Sequence, residues 1–384
     1  MSDTELEQDE HRVTPLELFF DLVFVFAMTQ VTSLLADDPT WGGVLRGMLV
    51  LAALWWAWEA YGWLTSAIDV DEGGVRLVML ASVGAMLVVA LAVPGAFGDD
   101  AVIFGVAYLV VRALHLILSA VVAGDDPVRR GALLRFVPTA LLGGSLLVVA
   151  GFLDGNARIA LWVVALAIDY LGPTVVGVGQ GWRVAPEHFA ERHGLIVLIA
   201  LGESIIAIGV GAGFELVAGV IVGAALGIAV VSALWWLYFD VAQIIARQRL
   251  VEATGLDLHR LALHAYGYLH LPIVAGVVLF ALGLKTTLGN IGEELETVPA
   301  VGLCGGAAVY LVGHIAFLYR ATGYLFRRRT IGAIVLLALM PIAVAIPALA
   351  ALALVSVVCS LIVAYEALRY REQRIGLRHP ELAA

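Results

Sequence analysis

The sequence predicts an all-α fold: a polytopic transmembrane helical bundle, about 12 spans arranged as two six-helix repeats with both termini cytoplasmic. Three observations lead there. The 384 residues are 61% hydrophobic and only 14% charged, with mean hydropathy +0.96, whereas a soluble globular chain is roughly 45–50% apolar and about 25% charged. The excess falls into runs of about 20 residues, the length that crosses a bilayer, separated by short polar links such as ADDPTW, IDVDEGG and GDDPVRR. Runs six apart in the order also resemble one another.

Taken in order, residues 1–15 form an acidic tail. Its start, MSDTELEQDEHR, has neither the positive n-region nor the small-residue cleavage site of a signal peptide, so the first helix is expected to be retained. Spans are expected near 16–35, 42–64, 75–97, 101–123, 131–152, 157–179, 188–210, 215–239, 261–283, 300–321, 330–348 and 349–368. The last two share the run GAIVLLALMPIAVAIPALAALALVSVVCSLIVAY. It is too long for one span, and Pro341 and Pro347 divide it into a tight hairpin. The first six spans make one half, 16–179, and the last six the other, 180–368; residues 369–384 are a basic tail.

Charge sets the expected orientation. With the N-terminus inside, the inner links and tails collect most of the arginines, among them Arg76, Arg129, Arg130, Arg183, Arg247, Arg249 and Arg327-Arg328-Arg329. Only Arg46, Arg158 and Lys285 fall in outer links. Lys and Arg are retained on the cytoplasmic side, so both termini are expected there, in a multi-pass protein of the cell membrane. The Arg triplet reads first as part of this topology signal and second as a contact for anionic lipid.

The repeat rests on matched segments. ALWWAWE (Ala53–Glu59) pairs with ALWWLYFD (Ala233–Asp240), and AYLVVR (Ala107–Arg112) with VYLVGH (Val309–His314). Arg129-Arg130 and Arg328-Arg329 precede spans five and eleven. A duplication of six spans, an even number, gives halves of the same orientation, related by an axis along the membrane normal.

The candidate site is the set of ionisable residues inside spans, each costing at least ~2.5–3.5 kcal/mol on insertion scales. Glu17 and Asp21 are four residues apart on one helix face. Glu59, Asp169, Glu191, Arg192 and Asp240 lie in the inner parts of their spans, Arg112, His115 and His314 near mid-depth. Glu203, in LGESIIAIG, is the deepest carboxylate. The distribution predicts a polar cavity open to the cytoplasm, its carboxylates met by Arg112, Arg192, histidine or water. Structural ion pairing is the plainer reading for Glu17 and Asp21, aided by the helix N-terminal dipole. Glu203 lacks that help and is the best candidate for a coupling role.

Other patterns exclude more than they offer. His259, His264 and His270 do not have HExxH spacing, and Cys304 and Cys359 suggest neither a disulfide framework nor a metal cluster. No metal and no cofactor is expected. No nucleophile–base pair points to an enzyme. The paired tryptophans read as core or as an interface belt, and the glycines of GVGAG and GLCGGAA as close helix packing. The net charge of −10 implies no nucleic-acid partner. The expected partners are the lipid bilayer and a small solute or ion, and a homo-oligomer is compatible with the sequence.

At ELFFDLVFVFAMTQ and at EHFAERHGLIVLIALGESIIAIG the chain resembles the bacterial low temperature requirement protein A (LtrA) family. The residues that carry the second match are Glu191, Arg192, Gly194, Leu201, Gly202, Glu203 and Ser204, with His193 where an aromatic is expected. The resemblance spans nearly the whole chain and implies a polytopic bacterial membrane protein whose molecular activity is not established. More faintly, FFDLVFVFAMT is similar to the FSDG-VFAIA-type first helix of potassium channels built from six-helix repeats, with Phe20 for the Ser and Leu22 for the Gly. In those channels the motif supports the pore helix.

Two function classes follow. The first is a transporter- or channel-like protein for a small solute or ion, with a proton- or cation-coupled carrier suiting Glu203 and Asp21. The second is a non-transport membrane sensor, assembly factor or lipid- or cofactor-acting protein with a cytoplasm-facing cavity.

Overall fold

The computed structural model describes residues 13–68, 70, 73–177, 181–213, 217–369 and 371. Most of the two expected tails, 1–12 and 372–384, lies outside the described residues. Helices dominate: α1 (Pro15–Asp37), α2 (Trp41–Thr65), α3 (Gly73–Ala92), α4 (Ala101–Ala123), α5 (Pro127–Gly151), α6 (Gly155–Val176), α7 (Pro186–Ala212) and α8 (Ala218–Phe239). They continue as α9 (Ala242–Glu252), α10 (Gly255–Leu261), α11 (His270–Gly289), α12 (Thr297–Thr322), α13 (Arg327–Ala343) and α14 (Ala348–Arg369). Among the described residues, eleven helical stretches are long and apolar enough to cross a membrane. The described chain is thus all-helical, and α13, 17 residues beginning with three arginines, stands at the lower limit of spanning length.

Three elements depart from the expected pattern. The eighth span does not end in a link: α8 reaches Phe239, and after Asp240-Val241 the chain resumes as α9, AQIIARQRLVE, whose polarity made it read as loop. The ninth span is much longer than expected. It runs from Gly255 to Gly289, with a seven-residue π-helix, Ala262–Tyr268, between α10 and α11. Such wide turns are rare and recur at functional sites. At the last hairpin α13 passes through Pro341 and breaks at 344–347, after which Pro347 precedes α14.

The caps follow from local sequence. Asp126 caps α5, its carboxylate accepting from the Val128 N–H at 2.9 Å and the Arg129 N–H at 3.3 Å, with Pro127 at the first helical position. The Arg129 and Val128 N–H groups hold the Asp126 carboxyl below its ordinary range. Gly323, in the left-handed region at φ 74°, ends α12.

The chain forms two compact units. The first holds residues through Leu34, then Gly42–Arg192 and Thr254–Ala262; the second holds Leu35–Trp41, His193–Ala253 and Leu263 onward. In the first, α3 packs on α4, α4 on α5 and α5 on α6. In the second, α11 packs on α12, α12 on α13, α13 on α14 and α14 on α8.

Lipid tails are as apolar as leucine, so helix association in a membrane depends on close van der Waals fit. The glycines provide it. A Cβ on Gly105 would meet the α5 backbone at Leu147 and Val148, and one on Gly302 the Leu279 carbonyl. A Cβ on Gly306 would be driven into the backbone at Phe280 and Gly276, whereas one on Gly209 meets nothing within 4 Å. Gly306→Leu is therefore expected to cost about 1–3 kcal/mol by overpacking. Gly209→Ala should be neutral or stabilising by about 0.5–1 kcal/mol. Thermal unfolding of the two purified variants in detergent checks the contrast; equal melting temperatures would remove the tight α11–α12 seam.

Candidate functional site

The first cluster is built at the start of α1. Thr14-Pro15-Leu16-Glu17 is a capping box with proline at the first helical position. The Thr14 N–H donates to Glu17 Oε2 (2.9 Å) and the Glu17 N–H to Thr14 Oγ1 (3.3 Å). The same Oε2 accepts from His188 Nε2 at 3.1 Å, and Oε1 accepts from Arg192 Nη1 at 3.3 Å. One turn on, Asp21 Oδ1 accepts from Arg192 Nη2 and from Trp58 Nε1, both at 2.7 Å. Arg192 Nη1 also donates to Thr65 Oγ1 at 2.5 Å, and its guanidinium lies 5.3 Å from the Trp58 ring.

Arg192 is 0% exposed, Glu17 1% and Asp21 0%. This explains two carboxylates four residues apart at the head of an apolar helix. Glu17 finishes the helix end, and both together neutralise an arginine brought in by α7. Yet Asp21 Oδ2, Arg192 Nε and His188 Nδ1 have no hydrogen-bond partner among the described residues.

The second cluster joins α4 and α6. Arg112 Nη2 donates to Asp169 Oδ1 at 3.2 Å, and Tyr108 OH to Asp169 Oδ2 at 3.2 Å. Gly143 on α5 makes the room, since a Cβ there would sit 2.8 Å from the Asp169 carboxylate. Arg112 Nε and Nη1 and His115 Nδ1 are buried without hydrogen-bond partners among the described residues. His115 meets the Tyr61 ring edge-on at 5.5 Å, and the Tyr61 hydroxyl lies within hydrogen-bonding distance of Ser82 Oγ (2.8 Å) and the Val111 carbonyl (3.0 Å).

The second unit holds a different arrangement. His270 Nδ1 donates to the Ala265 carbonyl at 3.1 Å across the π-helix, which leaves Nε2 of the neutral ring to accept from Tyr238 OH at 2.8 Å. Tyr266 stacks on His270 at 5.2 Å, and His193 approaches its face at 5.1 Å. Nearby, Arg329 forks onto Glu366, Nε to Oε1 at 2.9 Å and Nη2 to Oε2 at 2.7 Å. Its Nη1 reaches His314 Nδ1 at 2.7 Å and the Leu237 carbonyl at 3.1 Å.

Of the residues singled out in the sequence, the structure therefore gathers Glu17, Asp21 and Arg192, pairs Arg112 with Asp169, and sets His115 beside them. It places His314 on Arg329. Glu59 is buried and accepts from Trp63 Nε1 at 2.8 Å. Glu203 is 1% exposed, next to a buried Ser204 hydroxyl that has no hydrogen-bond partner among the described residues. Asp240 ends α8 on the wall of a large pocket.

Glu191 departs from expectation. It is exposed while Arg192 and His193 are buried, because one residue along a helix turns the side chain by about 100°. Around the first cluster the carboxylates are met directly by Arg192, one of the partners expected for them. Arg329, one of the arginines of the expected topology signal, is a buried cation.

Sequence reasoning missed His188, Trp58 and Tyr108 as partners. The capping box was a readable signal for Glu17, but nothing local announces the other three. Trp55 and Trp58 are fully buried, which settles the first tryptophan cluster as core. Cys304 and Cys359 are free and buried. Among the described residues no three His, Cys, Asp or Glu side chains converge as metal ligands would.

The family model of the bacterial low temperature requirement A protein (LtrA) matches residues 12–364. The chain belongs to the LtrA family. Within the match fall both buried arginine–carboxylate clusters and the histidine group. The chain is also similar to the uncharacterized protein RA0937 of Rhizobium meliloti (strain 1021), 30% identical over 315 residues that cover 79% of this chain and 76% of that protein. No solved structure matches it.

Breaking a buried pair leaves an uncompensated charge and costs about 3–5 kcal/mol, whereas replacing both partners by apolar groups is often neutral. In this LtrA protein Arg112→Met alone is expected to lower the melting temperature sharply, and Arg112→Met with Asp169→Leu to recover most of the loss. Detergent thermal melts of the four-member cycle measure the coupling. Additive losses would mean that the two side chains do not act as a pair.

Proposed function

We propose that this LtrA-family membrane protein moves a small solute or ion, with the cluster of Glu17, Asp21 and Arg192 as a gate and Glu203 as the coupling residue. The observation that carries the reading is the residual hydrogen-bonding capacity of the buried charges. A purely structural lock would satisfy Asp21 Oδ2 and Arg192 Nε, and both lack a hydrogen-bond partner among the described residues. Those atoms can take up water, a proton or a cation when the direct pairs separate. Intramembrane ionisable groups commonly mark ion and proton pathways, and a proton- or cation-coupled carrier uses carboxylates in this way.

The same proposal includes 12 spans in two six-span repeats, with both termini on the cytoplasmic side of the cell membrane. Matching cross-helix contacts support the repeat. Tyr61 of α2 reaches the Val111 carbonyl of α4, and Tyr310 of α12 reaches the Leu234 carbonyl of α8 at 2.7 Å. Tyr170 of α6 reaches the Ala52 carbonyl of α2, and α14 packs on α8 in the corresponding pairing.

One observation favours the non-transport reading. A pocket of about 1020 Å³ opens in the second unit, and neither Glu17, Asp21 nor Glu203 lines it. That arrangement suits binding without passage.

Flux into proteoliposomes across a panel of protons, cations, anions and small metabolites separates the two. Transport predicts flux that Glu203→Gln abolishes while membrane insertion and melting temperature stay at wild-type values. Asp21→Asn is the matched variant in the first unit. Persistent absence of flux from folded wild-type protein supports the non-transport class. Full complementation of a deletion strain's growth defect by well-expressed Glu203→Gln would exclude Glu203 from the path.

Orientation has its own test. Asp99→Cys and Glu294→Cys should label with impermeant maleimide added to intact cells, and Arg249→Cys and Arg328→Cys should not. The reverse pattern overturns the charge-based topology.

A further inference from the structure

The large pocket of the second unit lies where the C-terminal ends of α8, α12 and α14 meet α9 and the start of α13. Its walls carry Arg249, Arg327, Arg328 and Arg329 against Asp240 and Glu366. Arg329 is committed to Glu366 in a two-point pair. Arg249 shares an exposed 3.3 Å contact with Glu252. The Arg327 side chain has neither hydrogen bond nor ion pair among the described residues. The Arg328 guanidinium lies over the Tyr365 ring, 4.9 Å from its centroid, and such stacking leaves the in-plane N–H groups free to donate. The pocket thus presents positive charge in excess of its carboxylates, in the planar, multi-donor form that matches phosphate oxygens.

Size and surroundings narrow the ligand. At about 1020 Å³ the space is far larger than one phosphate and falls at the upper end of small-molecule sites. Its rim includes Tyr324, 74% exposed, and Leu325, 57% exposed. In a membrane protein, exposed aromatic and aliphatic residues next to arginines belong at headgroup depth.

We propose that this pocket binds a phosphate-bearing anion, with Arg327, Arg328 and Arg249 as its donors. The phosphodiester headgroup of an acidic phospholipid and a soluble phosphate compound share that chemistry. The inference is independent of whether the protein transports.

The test uses the full-length protein in mild detergent, read by native mass spectrometry. The probes are dioleoyl phosphatidylglycerol, dioleoyl phosphatidylcholine as the zwitterionic comparison, and glycerophosphoglycerol, the same headgroup without acyl chains. Retention of phosphatidylglycerol over phosphatidylcholine is expected. At about fivefold per arginine near a membrane surface, Arg327→Ala with Arg328→Ala should weaken it roughly thirtyfold. Arg76→Ala with Arg130→Ala, an equal loss of exposed charge elsewhere, should leave it unchanged. Arg249→Gln, in a different helix, provides a second reading if the double variant folds poorly, and should weaken binding several-fold. Binding of glycerophosphoglycerol with the same sensitivity assigns the site to a soluble phosphate compound; lipid binding alone assigns it to the headgroup. If folded Arg327→Ala/Arg328→Ala and Arg249→Gln bind every probe as the wild type does, or the Arg76→Ala/Arg130→Ala control falls equally, the pocket is not a phosphate site.

Discussion

An arginine taken into a membrane-embedded bundle can neither lose its proton nor keep its water, so opposite charge has to be brought to it. Arg192 imposes that constraint on the first unit. Its guanidinium needs Glu17 and Asp21 from α1, and its orientation needs Thr65 and Trp58 from α2. The start of α7, the start of α1 and the end of α2 are thereby tied to one point. Because desolvating three charges consumes much of what their attraction returns, such a cluster contributes register more surely than stability. One-residue slippage of α1 would turn both carboxylates away from the arginine, and no apolar packing alone would penalise that slip as heavily.

The two units meet the same constraint by different chemistry. In the first, arginine–carboxylate pairs are supplemented by Trp58 and Tyr108, donors that are themselves largely apolar and cost little to bury. In the second, Arg329 takes Glu366 as a two-point partner and then a neutral His314, while His193 and His270 are wrapped in tyrosine and phenylalanine rings. The wide π turn before α11 lets His270 Nδ1 find the Ala265 carbonyl five residues back, a bond that regular α-helical hydrogen bonding does not provide. That bond fixes which ring nitrogen accepts from Tyr238. Glycine-lined seams then allow helices to approach without competing with these polar contacts for space.

The polar sites also differ in their exposure to water. The ion clusters of the first unit are buried, with several polar atoms left without hydrogen-bond partners among the described residues, whereas the basic pocket of the second unit is open. Buried atoms with unused hydrogen-bonding capacity raise the energy of the closed arrangement and favour any state in which water or an ion can reach them.

The amino-acid sequence by itself determined the helical class, the membrane setting and most span limits, because hydrophobic run length and polar punctuation are local quantities that the bilayer reads directly. It also exposed which charges are unusual, since Glu17, Asp21, Arg112, Asp169, Arg192 and Glu203 interrupt apolar runs. Composition made α9 look like a link, and the arginine triplet hid that Arg329 points inward while Arg327 and Arg328 do not. Partner choice was decided only by the tertiary structure. Asp169 meets Arg112 across 57 positions and Glu17 meets His188 across 171, and no periodicity encodes such distances. A helix face at residue 191 or 192 is likewise set by which neighbour packs there: about 100° of rotation separates the exposed Glu191 from the Arg192 that holds the first unit's charges together.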